Sequence, residues 1–200
     1  MTRVFAVAIP ATLLYVPVAR AQSSADAGPV KGSREIEVWA GGGPGFQLHG
    51  SVFPVDEWDV GASYGWVLTN AHGTGFLRGR FAYALDVMPT LFVIQPTRTV
   101  YGGGFDPFAL QWIFKTRRNI APFFEVSGGG VFTTEPIPAA DTSFNFELNA
   151  ALGLHTIRGM FVWSVDVRWF HISNAGISSP DPGVNTLQVR IGFGLFRRPK

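Results

Sequence analysis

Apolar and polar side chains alternate along most of the chain after residue 35, and this alternation restricts the fold more than any other feature. The clearest segment, residues 57–69, reads EWDVGASYGWVLT, with Trp58 and Val60 in one set and Glu57 and Asp59 in the other. A period of two places such sets on opposite faces of a β-strand. The fold is therefore predicted to be all-β, with two chemically different faces on its strands.

Eight segments carry this alternation, and no helical segment lies between them. An even number of alternating strands fits a sandwich, a soluble lipocalin-like barrel or a barrel of the outer-membrane type. The connections are predicted to alternate between long ones, such as residues 95–104, and short ones, such as residues 70–74. The predicted strands are residues 36–40, 57–69, 76–88, 108–115, 120–127, 144–154, 161–173 and 186–196.

The chemistry of the two strand faces distinguishes the outer-membrane barrel from the two soluble folds. Charged residues make up 15% of the chain, too few to cover the outside of a soluble barrel, because soluble domains average about 25%. In a membrane barrel, apolar faces meet lipid and opposite charges pair in the lumen. We therefore predict an eight-stranded antiparallel transmembrane β-barrel of the outer-membrane type. Its predicted lumenal charges are Arg78, Arg80, Asp86, Glu147, Asp166 and Arg168.

The first 21 residues have the features of a secretory signal peptide. Arg3 precedes an apolar run over residues 4–19, and Ala19 and Ala21 form a small-x-small cleavage site. The run contains two prolines and is shorter than the roughly 20 residues that a membrane-spanning helix needs. Residues 22–34 are predicted to be a short polar linker, and residues 35–200 the barrel.

Charge and composition exclude several kinds of function. Signal removal takes away two of the 16 cations and none of the 14 acids, so a neutral chain remains and nucleic acid is not expected as a partner. The absence of cysteine excludes thiolate catalysis and cysteine zinc sites. His49, His72 and His155 lack metal-ligand spacing, so neither a metal site nor a cofactor is predicted.

Two polar residues end the seventh predicted strand. Stepping by two from Phe161 brings His171 and Ser173 onto the lipid-facing side. Their side chains then lie about 6–7 Å apart along the strand, which rotamer choice or strand bending can shorten to a hydrogen bond. An imidazole beside a serine can act as general base to a nucleophile. The spacing alone leaves open that both are ordinary polar residues at the headgroup boundary.

The letters around this pair resemble a known family. Residues 171–185, HISNAGISSPDPGVN, closely resemble the signature of the lipid A 3-O-deacylase family, outer-membrane barrels that hydrolyse the ester-linked acyl chain at position 3 of lipid A. The resemblance implies His171 as general base, Ser173 as nucleophile, and Asn174 with the Gly176 backbone as oxyanion contributors. It also implies lipopolysaccharide as substrate. With eight strands and both termini in the periplasm, the seventh strand runs outward, which predicts an active site at the outer-leaflet side of the outer membrane.

The chain departs from the family pattern at Asn185, where the family has a Glu that orients the imidazole. An amide oxygen can hold the imidazole tautomer, but it lacks the charge that stabilises imidazolium. We therefore expect a slower or differently tuned enzyme, or a contribution from Asp181. A role for Asn185 in capping the turn after Pro182 and Gly183 stays open.

Two other classes of function compete with the deacylase. A non-enzymatic outer-membrane barrel would bind a partner through its long outer loops or stabilise the membrane. A soluble periplasmic lipid-binding barrel would have its apolar side chains facing inward. The sequence also leaves open whether the barrel forms a homodimer.

Overall fold

The computed structural model describes residues 28–48, 54–139, 141–179 and 183–200. Among these residues no helix is long and apolar enough to cross a membrane. The predicted signal peptide and linker residues 22–27 lie outside them. The strands are β1 (Arg34–Gly43), β2 (Asp56–Val67), β3 (Gly79–Ile94), β4 (Thr99–Phe114), β5 (Ile120–Thr133), β6 (Phe144–Arg158), β7 (Phe161–Ser173) and β8 (Val184–Arg197), with a 3-10 helix at Gly75–Leu77.

The eight strands form one closed antiparallel barrel, as predicted. Each strand pairs with its sequence neighbours, and β8 pairs with β1. We call the end that holds Arg34 and Arg197 the turn end, and the opposite end, where β7 stops at Ser173, the loop end. In barrels of the outer-membrane type the short turns face the periplasm and the longer loops face outward.

Strand β7 has its predicted bounds, but β3 and β4 are longer than predicted, with 16 residues each. The loop predicted at residues 95–104 is reduced to residues 95–98, because Gly102–Gly104 pair with β3 and β5 inside β4. A side chain at Gly102 would place its Cβ 2.4 Å from the Phe132 carbonyl oxygen, so glycine here permits close backbone approach. The short turn predicted at residues 70–74 is instead an 11-residue connection, residues 68–78, that contains the 3-10 helix.

The barrel wall is apolar outside and polar inside. On β7, Trp163 and Val165 are exposed on the outer surface, whereas Asp166 and Arg168 are buried in the lumen. This orientation excludes the soluble barrel with an apolar interior. The prediction of Arg78 in the lumen is wrong. Strand β3 begins at Gly79, just after Arg78, and Arg78 lies exposed at the turn end.

The lumen is filled in three layers, which the inward residues of β7 cross in order. Val162 belongs to an apolar cluster at the turn end, and Phe170 and Ile172 belong to another at the loop end. Between them Arg168 donates to Glu125 at 2.9 Å and to Asp166 at 3.1 Å. Eight strands leave an interior wide enough only for side chains, and this layering fills it.

Candidate active site

Strands β7 and β8 bring His171 and Asn185 together on the outer surface. The two residues are register partners, and Asn185 is in phase with the outward-facing Leu187 and Val189. Asn185 Oδ1 lies 2.9 Å from His171 Nδ1 and 2.9 Å from Trp169 Nε1. Despite facing outward, Asn185 is only 3% exposed. It lies within β8, one residue after the strand begins, and the turn that it was suggested to cap lies largely outside the described residues.

The Trp169 indole determines which nitrogen of the His171 imidazole carries the hydrogen. An indole N–H can only donate, so the Asn185 atom that it contacts must be the amide oxygen. The same oxygen then accepts from His171, whose Nδ1 therefore carries the hydrogen. In the neutral ring this leaves Nε2 as the basic nitrogen. The rings of Trp169 and His171 also pack together, with centroids 5.6 Å apart.

Ser173 follows His171 by two residues on the same outward face and is half-buried. Its register partner in β6 is Phe146, and that of His171 is Leu148. Among the described residues no side-chain hydrogen bond joins Ser173 to His171, so the pair is related by strand spacing, about 6–7 Å. Catalytic hydrogen bonds are often long without substrate and shorten in the Michaelis complex.

The turn after β7 holds the two predicted oxyanion contributors. Gly176 N–H donates to Asn174 Oδ1 at 2.8 Å. Asn174 Nδ2 in turn donates to Ser178 Oγ at 2.9 Å and to the carboxylate of Asp141. Asn174 is buried and ties the turn to the connection between β5 and β6. The two predicted oxyanion groups are thus bonded to each other.

Gly183 lies against the His171 imidazole, a position that the sequence analysis missed. Its φ is +53°, and a Cβ at this position would lie 2.9 Å from His171 Cε1. Both facts favour glycine, which has no Cβ and adopts positive φ without strain. Trp169 was also missed as a site residue, although its position two residues before His171 places it on the same face. Asp181 lies outside the described residues.

A group of potential metal ligands lies elsewhere in the described part of the chain. Ligand atoms of Glu35, Glu37 and His155 lie within 4.8 Å of one another. Sequence spacing could not reveal this group because its members come from β1 and β6. It lies in the lumen towards the turn end, on the opposite side of the barrel wall from His171.

An apolar groove of about 640 Å³ lies beside the site on the outer surface. Gly128 and Gly130 face outward from β5 and leave a gap in the layer of large side chains. Phe146 and Leu148, which pair with Ser173 and His171, separate this gap from the site. The other large apolar side chains around the groove are Phe105, Phe108, Leu110, Val126, Phe132 and Phe144.

The model of one protein family, "Lipid A 3-O-deacylase (PagL)", matches residues 45–194. The match covers 150 of the 200 residues and includes His171, Ser173 and Asn185. The chain belongs to the lipid A 3-O-deacylase family. No curated protein sequence matches this deacylase-family chain significantly.

Two solved structures resemble this member of the lipid A 3-O-deacylase family. The crystal structure of the outer membrane enzyme PagL has a TM-score of 0.59 and 20% identity, and the match covers 82% of this chain and 99% of that chain. The crystal structure of the outer membrane protein OprG from Pseudomonas aeruginosa has a TM-score of 0.54 and 12% identity, covering 86% and 99%. Both likenesses establish the fold.

Family membership supports a hydrolase role on lipid A, with lipopolysaccharide as the substrate class, and a location in the bacterial outer membrane. Nothing in the comparisons supports the homodimer that the sequence left open.

Proposed function

We propose that this protein hydrolyses the acyl ester at position 3 of lipid A, with Ser173 as nucleophile and His171 as general base. The observation that carries the proposal is the 2.9 Å contact between His171 Nδ1 and Asn185 Oδ1 on the lipid-facing surface. Polar groups on a lipid-facing surface are costly unless they are paired or functional. An oriented imidazole two residues before an outward-facing serine is the arrangement that nucleophilic catalysis needs.

The first half of the reaction forms an acyl-enzyme. Ser173 Oγ attacks the ester carbonyl carbon while its proton passes to His171 Nε2. The tetrahedral intermediate then collapses, the bond between the carbonyl carbon and the sugar oxygen breaks, and imidazolium returns the proton to that oxygen. The products are a free 3-hydroxyl on lipid A and an acyl chain bound to Ser173.

The second half releases the fatty acid. Water gives a proton to His171 Nε2 and attacks the acyl carbon, and the serine oxygen leaves with that proton. Asn185 keeps Nδ1 protonated through both halves because Trp169 holds its amide oxygen in place. A neutral amide stabilises imidazolium less than a carboxylate does, so the proposed enzyme is slower than one with an acid at residue 185.

Asn174 and the Gly176 N–H are the proposed donors to the oxyanion. In this structure the Gly176 N–H donates to Asn174 Oδ1, so this bond must yield to the substrate oxygen during the reaction. The exchange replaces a neutral acceptor with a developing oxyanion, to which hydrogen bonds are stronger. A single donor to the oxyanion contributes roughly 10²–10³-fold to the rate of acyl transfer when it is preorganised, and the cost of breaking the Asn174 bond lowers that contribution here.

The apolar groove supports a lipid substrate. It faces outward beside Ser173 and is bordered by aromatic and aliphatic side chains of β4, β5 and β6, so an acyl chain could enter it sideways from the membrane. The site lies at the loop end, which faces outward in barrels of this type. We therefore propose that catalysis takes place at the outer leaflet, where lipid A resides.

Mass spectrometry of lipid A tests the proposal. Cells would express the native chain, Ser173→Ala or Ser179→Ala at equal levels in the outer membrane. Ser179 is the matched control because it is exposed in the loop after β7. We expect the native chain and Ser179→Ala, but not Ser173→Ala, to remove one acyl chain, which tandem spectra should locate at position 3.

Unchanged lipid A in all three strains, with the barrels correctly folded, would contradict the deacylase proposal. The non-enzymatic barrel would then be the better account of this protein. Loss of an acyl chain in the Ser173→Ala strain would instead contradict the assignment of the nucleophile.

A further inference from the structure

The turn end of the barrel has an unusual charge distribution. In the described residues at the two ends of the barrel chain, residues 28–34 and 197–200, there is no Asp or Glu. The same segments hold five exposed cations, and Pro199 packs beside Gly32. These cations are Lys31, Arg34, Arg197, Arg198 and Lys200.

The three connections at the turn end continue the pattern. Residues 68–78, 115–119 and 158–160 contain no acid. They add five exposed cations, so the described residues of this end carry ten in total. At the loop end, the described connections hold Arg98 as their single cation, and Arg98 forms an ion pair with Glu135. The cations of the three turns are Arg78, Lys115, Arg117, Arg118 and Arg158.

These ten cations, which we call the cationic ring, surround the turn end of the barrel. The junction of β8 with β1 and the turns β2–β3, β4–β5 and β6–β7 follow one another at intervals of two strands around the closed sheet, and each contributes at least one cation. A docked protein would contact one side of such a ring. A leaflet of anionic lipid contacts it on all sides and attracts each Lys or Arg near its surface.

Exposed apolar residues in the same turns indicate lipid independently of charge. Phe76 and Leu77, 84% and 56% exposed, directly precede Arg78. Met160, 54% exposed, follows Arg158 after one glycine. Apolar side chains next to cations suit a membrane interface, where the apolar part enters the hydrocarbon edge and the cation stays at headgroup level.

One part of the ring has the form of a headgroup site. Arg158 at the end of β6 and Arg198 beyond β8 line the same cavity of about 500 Å³, together with Asn119, Met160 and Phe196. Two guanidinium groups can bind phosphate oxygens in a planar, bidentate way. Met160, which is exposed at the edge of this cavity, provides an apolar contact for the glycerol and the first methylene groups of a lipid.

We infer that the cationic ring binds the phosphate groups of anionic phospholipids in the leaflet around the turn end, with Arg158 and Arg198 forming one defined site. This binding fixes the depth of the barrel in the membrane. It is separate from the proposed deacylation, because the ring and Ser173 lie at opposite ends of the barrel.

Native mass spectrometry of the purified barrel in detergent tests the inference, with phosphatidylglycerol and phosphatidylcholine of equal chain length as probes. We expect phosphatidylglycerol to bind about tenfold more tightly or better. The preference should fall when ammonium acetate is raised from about 0.1 M to about 1 M, because the screening length drops from about 10 Å to about 3 Å.

Two variants with the same change in net charge locate the site. Arg158→Gln combined with Arg198→Gln should lower the preference for phosphatidylglycerol about fivefold or more. Arg98→Glu, which removes the same charge at the loop end, should leave the preference unchanged. If the double variant does not fold, as judged by heat-modifiable gel mobility, Lys115→Gln with Arg117→Gln should show the loss instead.

Three results would overturn the inference. They are equal affinity of the native barrel for the two lipids, equal losses in the turn-end and loop-end variants, and charge-dependent capture by peptidoglycan sacculi without a lipid preference. Lipid A deacylation in mixed micelles, measured on the same samples, should match the native protein in every variant. The lipid inference and the deacylase proposal can therefore fail independently.

Discussion

Strand β7 carries two polar systems on opposite faces, only three residues apart. Inward, Arg168 is buried and bonded to Glu125 and Asp166, so charge meets charge. Outward, the Asn185 amide oxygen accepts hydrogen bonds from His171 and Trp169. Polar groups that face lipid are costly unless they are satisfied. The comparison teaches that the inner system pairs buried charges, whereas the outer one satisfies polar side chains on the lipid-facing wall and holds the imidazole in one orientation.

The largest expected effect separates the outer system from the inner one. His171→Gln should lower the deacylation rate about 10³-fold or more, because it removes the proposed general base. The free energy of unfolding should change little, since the residue lies on the outer surface. Fatty acid release from lipid A micelles measures the rate, and gel mobility measures the folded fraction. His72→Gln, an exposed histidine at the turn end, is the control and should keep full activity.

The reverse result is expected for the inner system. Arg168→Met should destabilise the barrel by about 3–5 kcal/mol, because it leaves two buried carboxylates without their partner. Activity per folded molecule should stay within about twofold of the native value. Guanidinium unfolding from lipid vesicles measures the first quantity. A stability loss below about 1 kcal/mol would show that the ion pairs do not hold the lumen together.

A double-mutant cycle tests whether Trp169 acts through the Asn185 side chain. Trp169→Phe should lower the rate about tenfold, because the Asn185 amide is then free to turn its NH₂ group towards His171. Asn185→Asp should raise the native rate, since a carboxylate stabilises imidazolium. In the Asp background Trp169→Phe should cost less, because both carboxylate oxygens accept equally well. Strictly additive effects would contradict the proposed role of Trp169.

The smallest effect concerns the backbone beside the imidazole. Gly183→Ala should lower the rate about threefold to fivefold, because its methyl group would press on the His171 ring. Gly159→Ala is a close control: it also has positive φ, +63°, but its Cβ would meet nothing within 4 Å. Both variants pay the cost of a left-handed alanine. Equal losses in the two would mean that strain, not contact with His171, explains the effect.

The faces of β2, β3, β6 and β7 could be predicted, but several strand ends could not. Alternation is a local property of the chain, so it located His171 and Ser173 on the outer surface. The predicted third strand began at Phe76, three residues before β3 does, and so wrongly included Arg78. The alternation also disappeared in the glycine run at residues 102–104, where no side chain marks a face. There the pairing of the backbone with neighbouring strands extends the sheet.

The candidate site was predicted in part. The resemblance over residues 171–185 pointed to His171, Ser173 and Asn185, and the structure brings His171 and Asn185 into contact. The catalytic roles of all three stay predictions, as do those of Asn174 and Gly176. Trp169 and Gly183 were not predicted as site residues, because their contacts with Asn185 and His171 depend on how β8 returns beside β7.

By itself the sequence determined that this chain forms strands with one apolar and one polar face, and the scarcity of charge favoured an eight-stranded barrel with lipid outside and charge inside, because there is too little charge to cover a soluble exterior. Only the tertiary structure decided which atoms meet. Closing the barrel fixed the register of β7 against β8, and that register put one amide oxygen within reach of both an indole and an imidazole. A hydrogen bond depends on tenths of an ångström, which only the assembled strands specify.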